Sequence, residues 1–238
     1  MKVITAPEPF DSDNRDVKVF LAGGITNCPD WQSQVIAEAQ KYEKKHGGGT
    51  LEHLVLFNPR RPNFPIDDPN AAEEQIKWEY YWLQRMDIFS MFFTSGKSDQ
   101  PICMYELGRN LARMMERYTC DYDKRIVISV SPDYNRFKDV KIQVGLAWGQ
   151  PSMHGGTTIP DIKEPNIIEA EDPKKHFESI RQAYQYVVGH DCWSRDIDYA
   201  NEHKNSDELM SIGYMKKKSE TPTLEEYLKN GDLKDDVR

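Results

Sequence analysis

The chain alternates short, almost wholly apolar runs with longer stretches in which apolar residues return at helical intervals. Val17, Val19, Phe20 and Leu21 form the first run, which ends in Ala22-Gly23-Gly24, the pattern of a buried strand followed by a tight turn. Asp30 then offers an N-cap, and Trp31, Val35, Ile36, Ala39 and Tyr42 recur at helical spacing until Gly47-Gly48-Gly49 stops them. The cycle repeats. Residues 54–57 read as a second strand, closed by Asn58-Pro59-Arg60-Arg61-Pro62, whose prolines forbid a helix there. A helix from about Asn70 carries Ile76, Tyr80, Leu83 and Met86 on one face, and Ile88–Phe93 is a third, aromatic-rich strand. Pro101 opens a helix through Arg117 with Ile102, Tyr105, Leu107, Leu111 and Met115 among its apolar positions, and residues 125–130 form a fourth strand. Beyond it, 139–148 reads as a helix, 166–170 as a fifth strand, and 173–188 as a helix carrying His176, Phe177, Ile180, Ala183, Tyr184 and Val187. Strands that alternate with helices predict a parallel α/β sheet.

The ends differ from the middle. Residues 1–15 hold prolines and aspartates without periodicity and read as an N-terminal arm, so the domain is expected to span 16–190. Residues 191–238 turn polar, with Lys216-Lys217-Lys218 and one short terminal helix from Thr221-Pro222-Thr223-Leu224 to Gly231.

Composition narrows the function classes. With 238 residues, 38% apolar and 11% aromatic, the chain can bury a core, which excludes a disordered protein. A formal net charge of −8 argues against tracking a nucleic acid polymer. No apolar run approaches a membrane span, and the N-terminus lacks the charged-then-apolar order of a leader, so the expectation is a cytoplasmic protein with no membrane partner. Cys28, Cys103, Cys120 and Cys192 stand far apart, and the six histidines lack ligand spacing; His190 and Cys192, one residue apart, fit neither a helical face nor a zinc knuckle. No metal site is expected.

In an open parallel sheet, ligands sit beyond the carboxyl ends of the strands where strand order reverses. That rule selects the loops 22–30, 58–64, 94–105 and 131–138. Gly23-Gly24 ahead of a helix N-terminus suits an anion or a polar sugar, and a plain tight turn explains it equally well. Glu106 reads as a first-turn carboxylate whose pKa the unsatisfied helix amides lower, hence ionised at neutral pH; ordinary compensation of the helix dipole explains such a glutamate too. Glu79 lies on the preceding helix, and its eight-residue separation from Asp87 places both on one helical face. Carboxylates converging from different elements are what glycosidic-bond chemistry requires. The aromatics Trp31, Trp78, Tyr81, Trp82, Phe92 and Phe93 fall at helix or strand spacing, and read as core before they read as base-stacking platforms.

At these residues the chain resembles a known family. Val19-Phe20-Leu21-Ala22-Gly23-Gly24-Ile25, Trp31, Leu56-Phe57-Asn58-Pro59-Arg60-Arg61, Trp78-Glu79, Met86-Asp87 and Pro101-Ile102-Cys103-Met104-Tyr105-Glu106-Leu107-Gly108-Arg109 follow in order the pattern of the nucleoside 2-deoxyribosyltransferases. The related nucleotide N-glycoside hydrolases share that fold and glutamate. The resemblance implies a flavodoxin-like, doubly wound parallel sheet of about five strands with helices on both faces. It implies Glu106 as the nucleophile that takes the deoxyribosyl group, with Glu79, where the best-known members carry aspartate, placing substrate or helping the base depart. Asp99 stands nearest to the acid that members carry shortly before the nucleophile. Gly23, Gly24, Ile25, Trp31, Asn58, Arg60, Asp87, Tyr105 and Arg109 are implied around the substrate, with Asp87 weighed more as a structural cap than as a catalyst. Arg109 is equally suited to steadying Glu106, meeting a phosphate or pairing with a neighbouring helix.

Pro132-Asp133-Tyr134, Arg136 and Asp139 resemble the segment by which members reach a neighbouring subunit's sugar site, so a homo-oligomer is expected. The implied activity is transfer of 2-deoxyribose between bases through a covalent glycosyl-glutamate, with no cofactor and a small nucleoside or nucleotide as partner. Two alternatives remain at this point: a nucleotide N-glycoside hydrolase, with phosphate contacts from Gly23-Gly24, Ser98 or Arg109, and a catalytically silent nucleotide-binding module.

Overall fold

The computed structural model describes residues 1–96, 98–117, 122–149 and 167–202. The apolar runs become strands β1 (Lys2–Thr5), β2 (Val17–Gly23), β3 (Leu54–Asn58), β4 (Ile88–Phe93), β5 (Ile126–Val130) and β6 (Ile167–Ile168). Between and after them lie helices α1 (Trp31–His46), α2 (Ala71–Leu83), α3 (Pro101–Arg117), α4 (Phe137–Gly149) and α5 (Pro173–Glu202). All pairings are parallel, in the order β1-β3-β2-β4-β5-β6. Buried on both faces, the strands need apolar residues at successive positions, which is why β3, β4 and β5 are buried throughout.

Alternation divides the strands' side chains between two cores. Phe20, Ala22, Phe57, Met91 and Phe93 pack under α2, α3 and α4. Val19, Leu21, Leu56, Ile88 and Phe92 pack under α1 and α5. The result is the doubly wound, flavodoxin-like α/β arrangement that the alternating pattern predicts. Its strand order reverses between β2 and β4, so the carboxyl ends of these two strands mark the switch point where a crevice forms.

Three expectations need correction. The sheet has six strands rather than about five, because Lys2–Thr5 pairs along β3 from Lys2↔Val55 to Thr5↔Asn58, placing part of the expected arm inside the sheet. Lys2 Nζ also pairs with Asp16 at 3.0 Å, and Trp78 Nε1 donates to the Glu8 carbonyl at 2.8 Å, which holds this segment down. Second, α2 ends at Leu83 and turns Trp78, Tyr81 and Trp82 inward, leaving Ile76 63% exposed. Trp82 stacks on Phe57 at 4.1 Å, and burying two indoles removes more apolar surface from water than burying one isoleucine. Third, Tyr134, expected within a segment that reaches a neighbouring subunit's sugar site, is buried in its own chain and stacks on Phe93 at 5.2 Å.

The six aromatics read as core are all buried. Residue 190, the expected end of the domain, lies inside α5. The terminal helix expected from Thr221 to Gly231 lies outside the described residues. No described helix is long and apolar enough to cross a membrane.

Candidate active site

The chain leaves β2 through Gly23-Gly24, and each glycine is required by what surrounds it. Gly23 has φ +146°, and a Cβ there would lie 2.3 Å from the Phe92 carbonyl oxygen. A Cβ on Gly24 would lie 2.4 Å from Cys28 Sγ and 2.6 Å from Gln100 Oε1. The bend is also held from behind: Trp31 Nε1 donates to the Gly24 carbonyl at 3.2 Å. Arg60 donates through Nε to Gln32 Oε1 at 2.9 Å and through Nη2 to the Pro29 carbonyl at 2.9 Å, and it pairs with Asp30 at 3.3 Å. Asn58 Oδ1 accepts from the Arg60 amide at 3.0 Å. Trp31, Asn58 and Arg60, expected around the substrate, thus shape the turn and do not line the cleft.

In front of this turn, at the carboxyl ends of β2 and β4, lies a cleft of about 210 Å³. Gly23, Gly24 and Ile25 form one wall, Ser98, Gln100 and Pro101 a second, and Glu79 from α2 and Glu106 from α3 project into it. Glu79 and Glu106 are therefore brought together from separate helices, whereas Asp87, which the spacing paired with Glu79, is not among the residues that line the cleft.

Their charge state differs from the sequence expectation. The helix begins at Pro101, so Glu106 is its sixth residue, and α3 has no acid in its first turn. The unsatisfied amides at the helix start do not reach it, and desolvation dominates instead. Burial, reinforced by the neighbouring Glu79 charge, pushes the Glu106 carboxyl up to about 8, and the Arg109 guanidinium opposes the shift. Burial likewise raises Glu79 to about 7, against a hydrogen bond from Gln75. Two carboxyl groups facing one partly dry cleft hold one proton between them near neutral pH. The Cys103 thiol, also in the cleft wall, is held protonated by burial and by Glu106.

Other expected residues lie elsewhere. Asp87 precedes Ile88 at the amino end of β4, the sheet edge opposite the cleft. It accepts from the Lys18 amide at 2.9 Å and pairs with Lys18 Nζ at 2.8 Å. Because α2 stops at Leu83, Asp87 shares no helical face with Glu79. Asp99 Oδ1 accepts from Asn135 Nδ2 at 3.1 Å and its carbonyl from the Tyr134 hydroxyl at 2.7 Å, so it ties the β4–α3 loop to the β5–α4 loop while its neighbours Ser98 and Gln100 face the cleft. Tyr105 is 65% exposed. Asp139 pairs with Arg136 at 3.2 Å on the surface of α4. Arg109 lies 4.1 Å over the Tyr80 ring, which joins α3 to α2 beside the carboxylates.

Two amides were not legible as functional. Gln100 is 3% exposed, sits at φ +46°, and donates from Nε2 to the Thr94 carbonyl at 2.9 Å, leaving Oε1 at the cleft without a partner among the described residues. Gln75 contacts Glu79 directly. Neutral amides carry no spacing signature; burial alone reveals them. Among the described residues, no group of three His, Cys, Asp or Glu is placed to hold a metal ion.

The fold and the cleft define a doubly wound α/β protein with paired carboxylates at its switch point. Residues 16–123, which carry β2 through α3 and every cleft residue named above, match the family model described as nucleoside 2-deoxyribosyltransferase like, so this part of the chain is a nucleoside deoxyribosyltransferase-like domain. No curated protein matches the chain.

Proposed function

We propose that the domain transfers a 2-deoxyribosyl group between nucleobases, with Glu106 as nucleophile and Glu79 as the proton carrier. The observation that carries this reading is the pair itself: Glu79 and Glu106 enter one desolvated cleft inside the matched segment. The tautomer that reacts carries the single proton on Glu79 and the charge on Glu106; it is the minor form, because burial raises Glu106 further than Glu79, and the Arg109 guanidinium is what favours the charge there. A Glu106 oxygen attacks C1′, the C1′–N bond breaks toward the base, and Glu79 delivers its proton to the departing nitrogen. In the return step a nitrogen of a second base attacks C1′, its proton passes to Glu79, and the bond from C1′ to Glu106 breaks. Each half displaces at C1′ once, so configuration is retained. The cleft is smaller than the roughly 300–1,000 Å³ of typical ligand pockets, which suits a pentose with the base projecting outward.

The test is incubation with a 2′-deoxynucleoside, with and without a second free base, followed by chromatography. A new nucleoside supports the proposal. Free base alone in both arms assigns a hydrolase, and binding without turnover assigns a silent nucleotide-binding module.

A further inference from the structure

The carboxylic acid proposed to carry the proton is held by an amide. Gln75 Nε2 donates at 2.7 Å to Glu79 Oε1 and at 2.6 Å to the carbonyl of Pro59. The Pro59 carbonyl can only accept, so it fixes which end of the Gln75 amide points this way. Both hydrogens of the Gln75 NH₂ are thereby engaged, one on the loop that follows β3 and one on the acid. Pro59 and Glu79 both line the cleft. A Gln and a Glu four residues apart on a helix form an ordinary surface pair. The contact to Pro59 sets this one apart: it clamps the amide to a second element and leaves Gln75 Oε1 buried with no hydrogen-bond partner among the described residues. An orphaned buried acceptor is a cost that surface pairing does not explain.

Resting on the functional reading above, we propose that Gln75 is the positioning residue for Glu79, holding Oε1 as an acceptor so that the transferable proton resides on Oε2. A carboxyl oxygen that already accepts an N–H at 2.7 Å is the poorer site for a proton, so the acidic hydrogen goes to the other oxygen. The same bond favours the ionised form and partly offsets the burial that raises Glu79, which leaves an acid able both to give up and to recover its proton. The titratable groups facing Glu79 across the cleft are Glu106 and Cys103 of α3, with Arg109 acting on Glu106. Burial already holds Cys103 as a thiol, so Glu106 is the partner that couples to this bond.

The test compares Gln75→Met and Gln75→Asn with the parent chain and with both combinations in a Glu79→Gln background, measuring base exchange across pH. Methionine keeps the volume without a donor, and asparagine keeps an amide too short to span both acceptors. The expected result is a kcat lower by roughly 10- to 100-fold, the worth of one hydrogen bond to a charged group, with KM within about twofold and the alkaline limb displaced to higher pH. In the Glu79→Gln background the same substitutions should cost nothing further, because the effect runs through that carboxyl. Equal losses in both backgrounds, or lost thermal stability with unchanged pH limbs, would reduce Gln75 to a structural clamp and overturn the proposal. If Glu79→Gln itself keeps full activity, the functional reading falls as well; if Glu79→Gln is impaired and Gln75→Met is not, only this inference falls.

Discussion

Gly24 and Gln100 meet so closely that a single methyl group on Gly24 would sit 2.6 Å from Gln100 Oε1. Gln100 can yield little: it is buried, its Nε2 is bonded to the Thr94 carbonyl, and its backbone already sits at positive φ. Gly24→Ala should therefore displace the Gln100 amide or the Cys28 thiol, at the roughly 1–3 kcal/mol typical of overpacking. We expect a lower melting temperature together with lost turnover. An alanine variant with parental stability and activity would show that the turn relaxes freely.

Glu79→Gln keeps the shape of the side chain and removes its proton. If Glu79 protonates the leaving base, kcat should fall by the general-acid contribution of about 10²–10⁴-fold, and the alkaline limb of the pH profile should vanish. The parent profile should be bell-shaped with its maximum between about 7 and 8, where the pair holds one proton; these limbs belong to the pair rather than to either residue. Rates measured from pH 5 to pH 10 decide this.

A carboxyl group raised by burial also weakens the fold. The folded state keeps its proton up to about 8, whereas the unfolded chain loses it near the ordinary value of 4.5. The folded state thus binds more protons across that window, and stability is lost as pH rises through it. Glu106→Gln should abolish turnover and still raise the melting temperature, by more at pH 8 than at pH 5. A variant that loses both activity and stability at pH 8 would mean that Glu106 serves the fold.

His176 imposes the opposite slope. It is fully buried behind the sheet, with Ser90 Oγ at 2.8 Å from Nε2 and Ser129 Oγ at 2.7 Å from Nδ1, and burial lowers its pKa to about 3. Each ring nitrogen has a hydroxyl partner that can donate or accept, so the ring's hydrogen bonds are met in either state, and it is the loss of water around a buried charge that disfavours the protonated ring. Between about 6.5 and 3 the unfolded chain binds the extra proton, so this histidine's contribution to stability is present at neutral pH and is lost as pH falls. Urea unfolding at stepped pH should show a slope approaching about 1.4 kcal/mol per pH unit from this group, and His176→Gln should flatten it.

Much of this architecture was legible because burial on both faces writes itself as apolar runs. Residues 88–93 and 126–130 could hardly be anything but central strands. Lys2–Thr5 escaped because an edge strand of four residues with prolines close behind it has no such signature. The face of α2 was misread because periodicity weighs Ile76 like Trp78, whereas packing weighs them by area. Glu79 and Glu106 were legible as acids, but their raised pKa values were not, since desolvation depends on what the fold lays over them. Gln75 and Gln100 gave no sign at all, because an amide becomes informative only once its partners are known.

The covalent role of Glu106 is tested most directly by trapping the glycosyl-enzyme. A 2′-fluoro-2′-deoxynucleoside destabilises the oxocarbenium-like transition states, so a glycosyl-enzyme that forms should persist long enough for peptide mass spectrometry. One adduct is expected, on the peptide carrying Glu106, and it should be absent from Glu106→Gln. An adduct on Glu79 or Asp99, or steady turnover of the natural substrate by Glu106→Gln, would contradict it.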